Sequence, residues 1–233
     1  MQAKKLDVGN GVTWYRCGWS LFKRFPAVWI LLGVAFLFIA IVCYAIPFLG
    51  PLLFVFILPA LSAGFLLGAD EVKRGAYLDW LTLWAAFRNQ QLLGRVLVLG
   101  GLLLGLMVVA SIIALAIVGG SLPGVGLPGG TPAPHFSATG YLLGFGTVLL
   151  VEVAAAMCVF FAVPLVTFED MGAVEAVRTS FDAAVRNIQP LLLFIIIYVI
   201  LSFIAAVPFL LGFVLLFPIT FCSIYCAYRE VFR

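Results

Sequence analysis

Six long apolar stretches dominate this sequence, and each can cross a bilayer as a helix, which takes about 20 residues. The stretches cover about 26–47, 51–68, 95–118, 141–167, 190–207 and 208–228. Little more than a turn, IPFLGP, separates the first pair, and VPFLLG joins the last pair. Chain segments this short can only reverse direction. The sequence therefore predicts an all-α polytopic membrane bundle of six transmembrane helices in three hairpins.

The composition excludes most other classes of protein. Hydrophobic residues make up 65% of the chain and charged residues 10%, whereas a soluble domain is about 45–50% apolar and about 25% charged. Too little polar surface is available to cover a water-soluble core. This excludes a soluble enzyme, a disordered chain, a nucleic-acid binder and a disulfide-rich secreted domain. The sequence has no phosphate-binding loop, HExxH or GxSxG, so we predict no catalytic residue and no cofactor.

The basic residues predict the orientation. All 13 lysines and arginines fall into four groups: before the first span, between the second and third, between the fourth and fifth, and after the sixth. Six spans place the four groups on one side, which the positive-inside rule identifies as the cytoplasm. We therefore expect a bacterial inner-membrane protein with both termini in the cytoplasm. The opposite side carries the Gly- and Pro-rich loop 119–137, where His135 is interpreted as an ordinary loop residue.

Three amphipathic segments precede the three hairpins, over 12–25, 76–93 and 172–188. Their apolar and charged residues recur at helical spacing, which predicts helices lying in the cytoplasmic interface. Basic side chains there favour anionic headgroups of membrane lipids as partners; a membrane-protein partner is also possible, and nucleic acid is not expected. The candidate interface residues are Arg16, Lys23, Arg24, Arg88, Asn89, Arg178, Asp182, Arg186 and Asn187.

An internal repeat accompanies these segments. AAFRNQQLL (85–93) and AAVRNIQPL (183–191) share six of nine residues, and the region around 45–74 aligns with the end of the chain. We interpret the chain as a single integral membrane domain, 1–233, built from three pseudo-repeats over about 12–70, 76–168 and 172–233.

Glu152 is the only acidic residue inside a predicted span. It lies about 11 residues, or roughly 16 Å, from the outer end of that span. An ionised group at the middle of the bilayer costs about 2.5–3.5 kcal/mol, so we expect Glu152 to be protonated or hydrogen-bonded. Ser111, at a similar depth, and Tyr198 and Ser202 are candidate partners. Two interpretations stay open: a proton or substrate site, or a polar contact between helices.

The other polar residues near the spans favour no particular chemistry. We expect the acids at the inner span ends to be solvated; these are Asp70, Glu71, Glu169 and Asp170. Four of the five cysteines fall in apolar runs, where thiols usually act as small hydrophobic groups. They are Cys43, Cys158, Cys222 and Cys226, and no metal site is expected from them.

Four stretches carry a resemblance to a known family: MQAKK at the start, GWSLFKRFPAVWILL (18–32), SFDAAVRNIQPLLLF (180–194) and SIYCAYREVF (223–232). The chain resembles uncharacterised proteobacterial inner-membrane proteins, in which an SF…RN…P segment precedes the fifth span and the ending is close to IYxSYRDxF. More distantly it is similar to YciC-type proteins and to the membrane domain of some glycerophosphodiester phosphodiesterases. The resemblance implies six spans and no activity, because no catalytic or binding residues are established for such a family. In the phosphodiesterases the chemistry resides in a separate domain, which favours an accessory role here.

Two functions fit these observations. The first is a non-catalytic inner-membrane protein, an accessory, scaffold or assembly factor, that contacts lipids or other membrane components through its interfacial helices. The alternative is a transporter or lipid-handling protein, with Glu152 and proline-kinked helices along the path.

Overall fold

The computed structural model describes residues 3–119, 138–208 and 210–233, without the side chains of 110, 114–119, 138–141, 143, 148, 151 and 152. Within these ranges the chain is helical and contains no strand, which confirms the all-α prediction. The helices are α1 (Asn10–Phe22), α2 (Pro26–Tyr44), α3 (Leu49–Lys73), a 3₁₀ helix (Trp80–Trp84), α4 (Ala85–Arg88), α5 (Gln90–Gly119), α6 (Ala138–Phe160), α7 (Ala162–Phe168), α8 (Ala173–Arg186), α9 (Ile188–Ala206) and α10 (Phe213–Phe232).

Five described helices are long and apolar enough to cross a membrane. They are Pro26–Tyr44, Leu49–Lys73, Gln90–Ile113, Ile188–Ala206 and Phe213–Phe232. The fourth predicted span is divided between α6 and α7 and contributes a shorter apolar stretch, Val153–Phe168. The structure is thus a polytopic helical bundle, as the apolar runs predicted.

The chain forms two compact units. The larger unit comprises Met1–Gly100 and Met157–Arg233, and the smaller unit is Gly101–Ala156. The smaller unit consists of the later part of α5 and most of α6. Its side chains Ile112 and Leu150 are exposed, as expected for apolar helices that face lipid.

The break between α6 and α7 has a local cause. Pro164 has no backbone N–H, and its ring clashes with the carbonyl four residues earlier in a regular helix. The chain leaves the helix at Phe161, whose N–H donates to Ser180 Oγ at 3.0 Å. Ser180 Oγ in turn donates to the carbonyl of Met157 at 2.9 Å. A side chain of α8 therefore completes the hydrogen bonding at the break.

The segment 76–93 differs from the single amphipathic helix that we predicted. It forms the 3₁₀ helix and the short α4, followed by an extended residue, Asn89, and the start of α5. The side chain of Asp79 accepts from the N–H of Leu81 at 3.3 Å, and Asn89 accepts from the N–H groups of Gln91 and Leu92 at 3.1 and 3.2 Å. Asp and Asn compete for backbone donors in this way and so begin new helices.

Aromatic side chains join α2, α3 and α10 in the core of the larger unit. Phe65 of α3 stacks on Phe221 of α10 with ring centroids 4.8 Å apart and lies 6.3 Å from Trp29 of α2. Phe36 of α2 contacts Phe65 edge-on at 5.8 Å. These offset and edge-on pairs are the favourable arrangements for aromatic rings. They bring the first hairpin and the last span into one core.

Each amphipathic segment packs on the closing helix of a hairpin. In the larger unit α1 packs on α10, the 3₁₀ helix and α4 pack on α3, and α8 packs on α7. Each segment thus contacts the span that ends the preceding pseudo-repeat, with the first segment contacting the last span. The pseudo-repeats themselves stay a prediction, but this arrangement gathers the segments at the helix ends where the polar residues lie.

Candidate functional site at the polar end of the bundle

The helix ends of the larger unit converge into one charged region, which we call the polar end: the end where α2 and α9 begin and where α3, α7 and α10 finish. Arg24, just before α2, donates to the carbonyl of Val72 in α3 at 2.9 Å. The N–H of Lys4 donates to the carbonyl of Val231 in α10, also at 2.9 Å. Residues from distant parts of the sequence therefore share this region.

Glu230 connects α10 to the first amphipathic helix. Its two carboxylate oxygens accept one hydrogen bond each, from Asn10 Nδ2 and from Trp14 Nε1, both at 2.6 Å. Hydrogen bonds to a charged group are about twice as strong as neutral ones. This carboxylate therefore fixes the start of α1 on the end of α10.

Asp70 is buried at the end of α3, with 6% of its surface exposed. Tyr225 Oη of α10 donates to it at 2.7 Å, and Arg74 pairs with its other oxygen. The expectation that Asp70 is a solvated span-end charge is therefore wrong. A buried carboxylate is costly without partners, and a tyrosine 155 residues away in sequence provides one.

Glu169, just after α7, makes a second carboxylate–tyrosine pair. Tyr228 Oη donates to it, and Arg233 binds it through Nε at 3.2 Å and Nη2 at 2.9 Å. Burial by itself would raise the pKa of Glu169, but these hydrogen bonds and the charge of Arg233 outweigh it and hold the pKa below its ordinary value. The next residue, Asp170, pairs with Arg95.

Asn187 has a different environment from the one predicted. We expected it on the interface surface, but it is completely buried between α8 and α9. Its Oδ1 accepts from the N–H of Leu6, and its Nδ2 donates to the carbonyl of Lys4, both at 2.9 Å. Asn187 therefore holds the N-terminal segment in place, and its amide is not available to a membrane component.

Helix α8 presents three distinct faces. Its small side chains face the bundle and are buried: Ala173, Ala176, Ser180, Ala183 and Ala184. Its larger apolar side chains are turned outward, with Val174 54% and Val185 49% exposed. Glu175, Arg178, Asp182 and Arg186 form the exposed charged face. An amphipathic helix whose large apolar side chains face away from the protein has the form of one lying in a membrane interface.

The remaining candidate interface residues lie on the surface. Arg16, Lys23, Arg88, Arg178, Asp182 and Arg186 are exposed. Lys23 lies over the ring of Trp19, 5.9 Å from its centroid, and Trp19, Trp80 and Trp84 are exposed as well. Arg24 is exposed but bonded to the chain, and Asn89 begins α5. Tryptophan favours the headgroup region because its ring is apolar and its N–H can bond.

A cavity of about 300 Å³ lies beside α8. It is lined by the cationic side chains Lys5 and Arg186, by Gln189, and by apolar residues that include Val185 and Ile188. Lys5 belongs to the first basic group of the sequence and Arg186 to the third. Two positive charges therefore lie beside exposed apolar side chains.

The candidate intramembrane site stays a prediction, because the residue at its centre has no described side chain. The Glu152 side chain lies outside them, as does His135. Ser111 Oγ donates to the carbonyl of Met107 at 2.8 Å. Ser202 Oγ donates to the carbonyl of Tyr198 at 2.8 Å. Both hydroxyls bond within their own helix, as serines in membrane helices commonly do. Among the described residues no group of three or more His, Cys, Asp or Glu could hold a metal ion.

Sequence reasoning missed one covalent feature. Cys17 of α1 and Cys226 of α10 form a disulfide across 209 residues, with their Cα atoms 6.3 Å apart. The interpretation of Cys226 as a small hydrophobic group is therefore wrong. The i, i+4 spacing of Cys222 and Cys226 places both on one helix face, but nothing local in the sequence indicates Cys17 as the partner.

No protein-family model matches the chain, and neither a curated protein nor a solved structure matches it. The resemblance to inner-membrane proteins described above therefore stays a prediction. The function has to be argued from the geometry of the polar end.

Proposed function

We propose that this chain is a non-catalytic protein of the bacterial inner membrane, with both termini in the cytoplasm, that binds anionic membrane components at its polar end. Its role would be that of an accessory, scaffold or assembly factor. The observation that carries the proposal is the three-faced helix α8, which combines a buried small face, an outward apolar face and exposed arginines. A helix that only stabilised the bundle would bury its largest apolar side chains instead.

The cavity between Lys5 and Arg186 supports an anionic ligand. Both side chains line it, and no acidic residue does. Its apolar wall of Val185 and Ile188 continues the outward face of α8. A phospholipid headgroup would place its phosphate between the two cations while its acyl chains lie along that wall.

Native mass spectrometry after gentle extraction tests this proposal. We expect the purified chain to retain phosphatidylglycerol or cardiolipin in preference to phosphatidylcholine. Replacing both cations, Lys5→Gln with Arg186→Gln, should weaken retention about tenfold or more, because each basic residue near an anionic surface contributes about 1 kcal/mol. Arg178→Gln is the matched control, since it removes the same charge from α8 outside the cavity.

Three outcomes would contradict the proposal. One is equal retention of anionic and zwitterionic lipids, and another is the same loss in the Arg178 variant as in the double variant. A third is a purified chain that carries a small solute in place of lipid, which would favour the alternative of transport. A membrane protein that co-purifies in a fixed ratio would instead support the scaffold role.

The orientation has a separate test. A fluorescent protein fused after Arg233 should fold and fluoresce in the cytoplasm, while alkaline phosphatase at the same position should stay inactive. We expect this because lysines and arginines of all four groups lie at one end of the larger unit, and basic residues that flank membrane spans are retained in the cytoplasm. An active phosphatase fusion would reverse the proposed topology.

A further inference from the structure

The disulfide between Cys17 and Cys226 opens onto a cavity that has no part in the proposed lipid binding. This cavity, which we call the disulfide cavity, measures about 280 Å³. Its lining comprises Thr13, Trp14, Cys17, Lys73, Tyr225, Cys226, Arg229 and Glu230. Cys226 is 7% exposed, whereas Cys17 is only partly buried and is the more exposed residue of the pair.

The charged side chains that line the disulfide cavity favour an anionic ligand. Lys73 and Arg229 line it, and neither forms a salt bridge within the described part of the chain. Glu230 also lines it, but its oxygens already accept from Asn10 and Trp14. Nearby cations stabilise a thiolate over a thiol. The same two side chains would therefore attract an anionic thiol and stabilise the thiolate that leaves when the disulfide opens.

The two cysteines are held together by more than their own bond. A Cβ on Gly18 would overlap Ser223 Oγ and lie 2.7 Å from the Ser223 backbone nitrogen, so α1 and α10 touch along their backbones beside the disulfide. Glu230 fixes the start of α1, and Lys4 bonds to Val231. The helices should therefore stay in contact when the sulfurs are reduced, which leaves the thiols positioned to close again.

The proposed orientation places this disulfide at the cytoplasmic face. Glutathione and thioredoxin keep most thiols reduced there, and the disulfides that do occur are usually transient, catalytic or redox-sensing. We propose that Cys17 and Cys226 form a reversible thiol–disulfide site that exchanges with an anionic low-molecular-weight thiol and its disulfide. This proposal rests on the proposed orientation, because the cytoplasm would supply the small thiol. The exchange chemistry itself can be tested on the purified protein, whatever its orientation.

The exchange takes two thiol–disulfide steps. The thiolate of one small thiol attacks Cys17 Sγ, the bond to Cys226 breaks, and its electron pair leaves on Cys226 Sγ as a thiolate. A second thiolate attacks the small-molecule sulfur of the mixed disulfide, which frees the Cys17 thiolate and releases the small-molecule disulfide. Two thiols are oxidised, one protein disulfide is reduced, and the protons of the two thiols pass to the two cysteines. The reverse reaction restores the bond.

The test uses a variant in which Cys43, Cys158 and Cys222 are replaced by alanine, purified in mild detergent. It is equilibrated in buffers of reduced and oxidised glutathione, quenched with acid and labelled with a maleimide polymer that retards the chain on a gel. We expect no label in oxidising buffer, two labels in reducing buffer, and full reversal between them. If this variant does not fold, differential alkylation of the wild-type chain with peptide mass spectrometry gives the same readout.

Three thiols of similar size test the charge preference: 2-mercaptoethanesulfonate, 2-mercaptoethanol and cysteamine. With rates divided by thiolate concentration, the anionic thiol should open the disulfide roughly fivefold faster than the neutral one, and the cationic thiol should be slowest. Lys73→Gln with Arg229→Gln should abolish this order. Lys23→Gln, which removes a charge just after α1 and outside the cavity, should preserve it.

The proposal is overturned if the bond resists every glutathione buffer, since the disulfide would then be structural. It is also overturned if the rates do not depend on thiol charge, or if the Lys23 variant changes them as much as the cavity variants do. None of these results depends on lipid retention or on the side of the membrane. Failure here would therefore leave the proposed function standing, and failure of lipid binding would leave the exchange chemistry standing.

Discussion

Helices α1 and α8 both lie at the polar end just before a hairpin, yet they bury different side chains. Helix α1 buries large ones, among them Trp14 and Leu21, and is tied to α10 by hydrogen bonds and a disulfide. Helix α8 buries alanines and a serine and turns Val174 and Val185 outward. The comparison shows that α1 closes the bundle by packing on α10, whereas α8 leaves its larger apolar side chains exposed, as the proposed contact with the membrane requires.

The largest expected loss of stability comes from weakening the contact between α1 and α10. Trp14 is 1% exposed and donates to Glu230, so Trp14→Ala should leave a cavity and an unpaired carboxylate oxygen. We expect a loss of about 3–5 kcal/mol in the free energy of unfolding. Thermal unfolding in detergent would show it, with a fall of roughly 2–4 °C in Tm per kcal/mol for a chain of this size. Trp19→Ala, at an exposed position five residues further on, is the control. Equal losses would mean that α1 is not anchored by its inner face.

The next largest effect is expected on the buried face of α8, which small side chains form. Two adjacent residues, one on this face and one outside it, test this. Ala184 is completely buried and Val185 is about half exposed. Ala184→Leu should overpack the contact with the bundle and cost about 1–3 kcal/mol, while Val185→Leu should be close to neutral. Denaturation of both variants in the same detergent measures the difference. A larger loss for the valine variant would show that α8 packs on its other face.

The hydrogen bonds of Glu169 join the end of α7 to α10, and α8 packs on α7. The pH dependence of stability tests this contact. Because Tyr228 and Arg233 lower the pKa of Glu169 in the folded chain, its contribution is present above the ordinary value of about 4.3. It is lost as the pH falls through the lower folded pKa. Glu169→Gln should cost about 1–2 kcal/mol at pH 7 and should reduce the loss of stability between about pH 5 and pH 3.

Asp7→Asn serves as the control for this pH measurement, because it removes an exposed carboxylate that is not part of the Glu169 pair. The hypothesis fails if the wild type and the Glu169 variant lose stability in parallel over this range. That result would mean that Glu169 titrates alike in the folded and unfolded chains.

The smallest effect is expected on the outward face of α8. Val174→Ala should change stability by less than about 0.5 kcal/mol, because the side chain is largely exposed. Val166→Ala, the same change at a completely buried position of α7, should cost more than about 1 kcal/mol. Unfolding midpoints of the two variants provide the comparison. A large loss at Val174 would indicate that this face is covered by protein and would remove the support for a membrane-facing α8.

The sequence by itself determined the class of the protein and the position of most helices. Span length and hydropathy follow from consecutive residues, so the five long apolar helices and α8 are found close to the predicted positions. The break before Pro164 and the new helix start at Asn89 are local as well, but they depend on which polar group captures a backbone donor. Periodicity alone does not specify that choice, and the single helix predicted over 76–93 was wrong for this reason.

Only the tertiary structure decided which residues of the polar end belong together. Asp70 meets Tyr225, Glu169 meets Arg233 and Cys17 meets Cys226 across 64 to 209 residues. Such pairs form when helices pack and have no periodic signature along the chain. The same holds for the buried face of α8: the sequence shows that one side is apolar, but close approach of α7 and α9 selects the small side chains for burial. The large apolar side chains stay exposed.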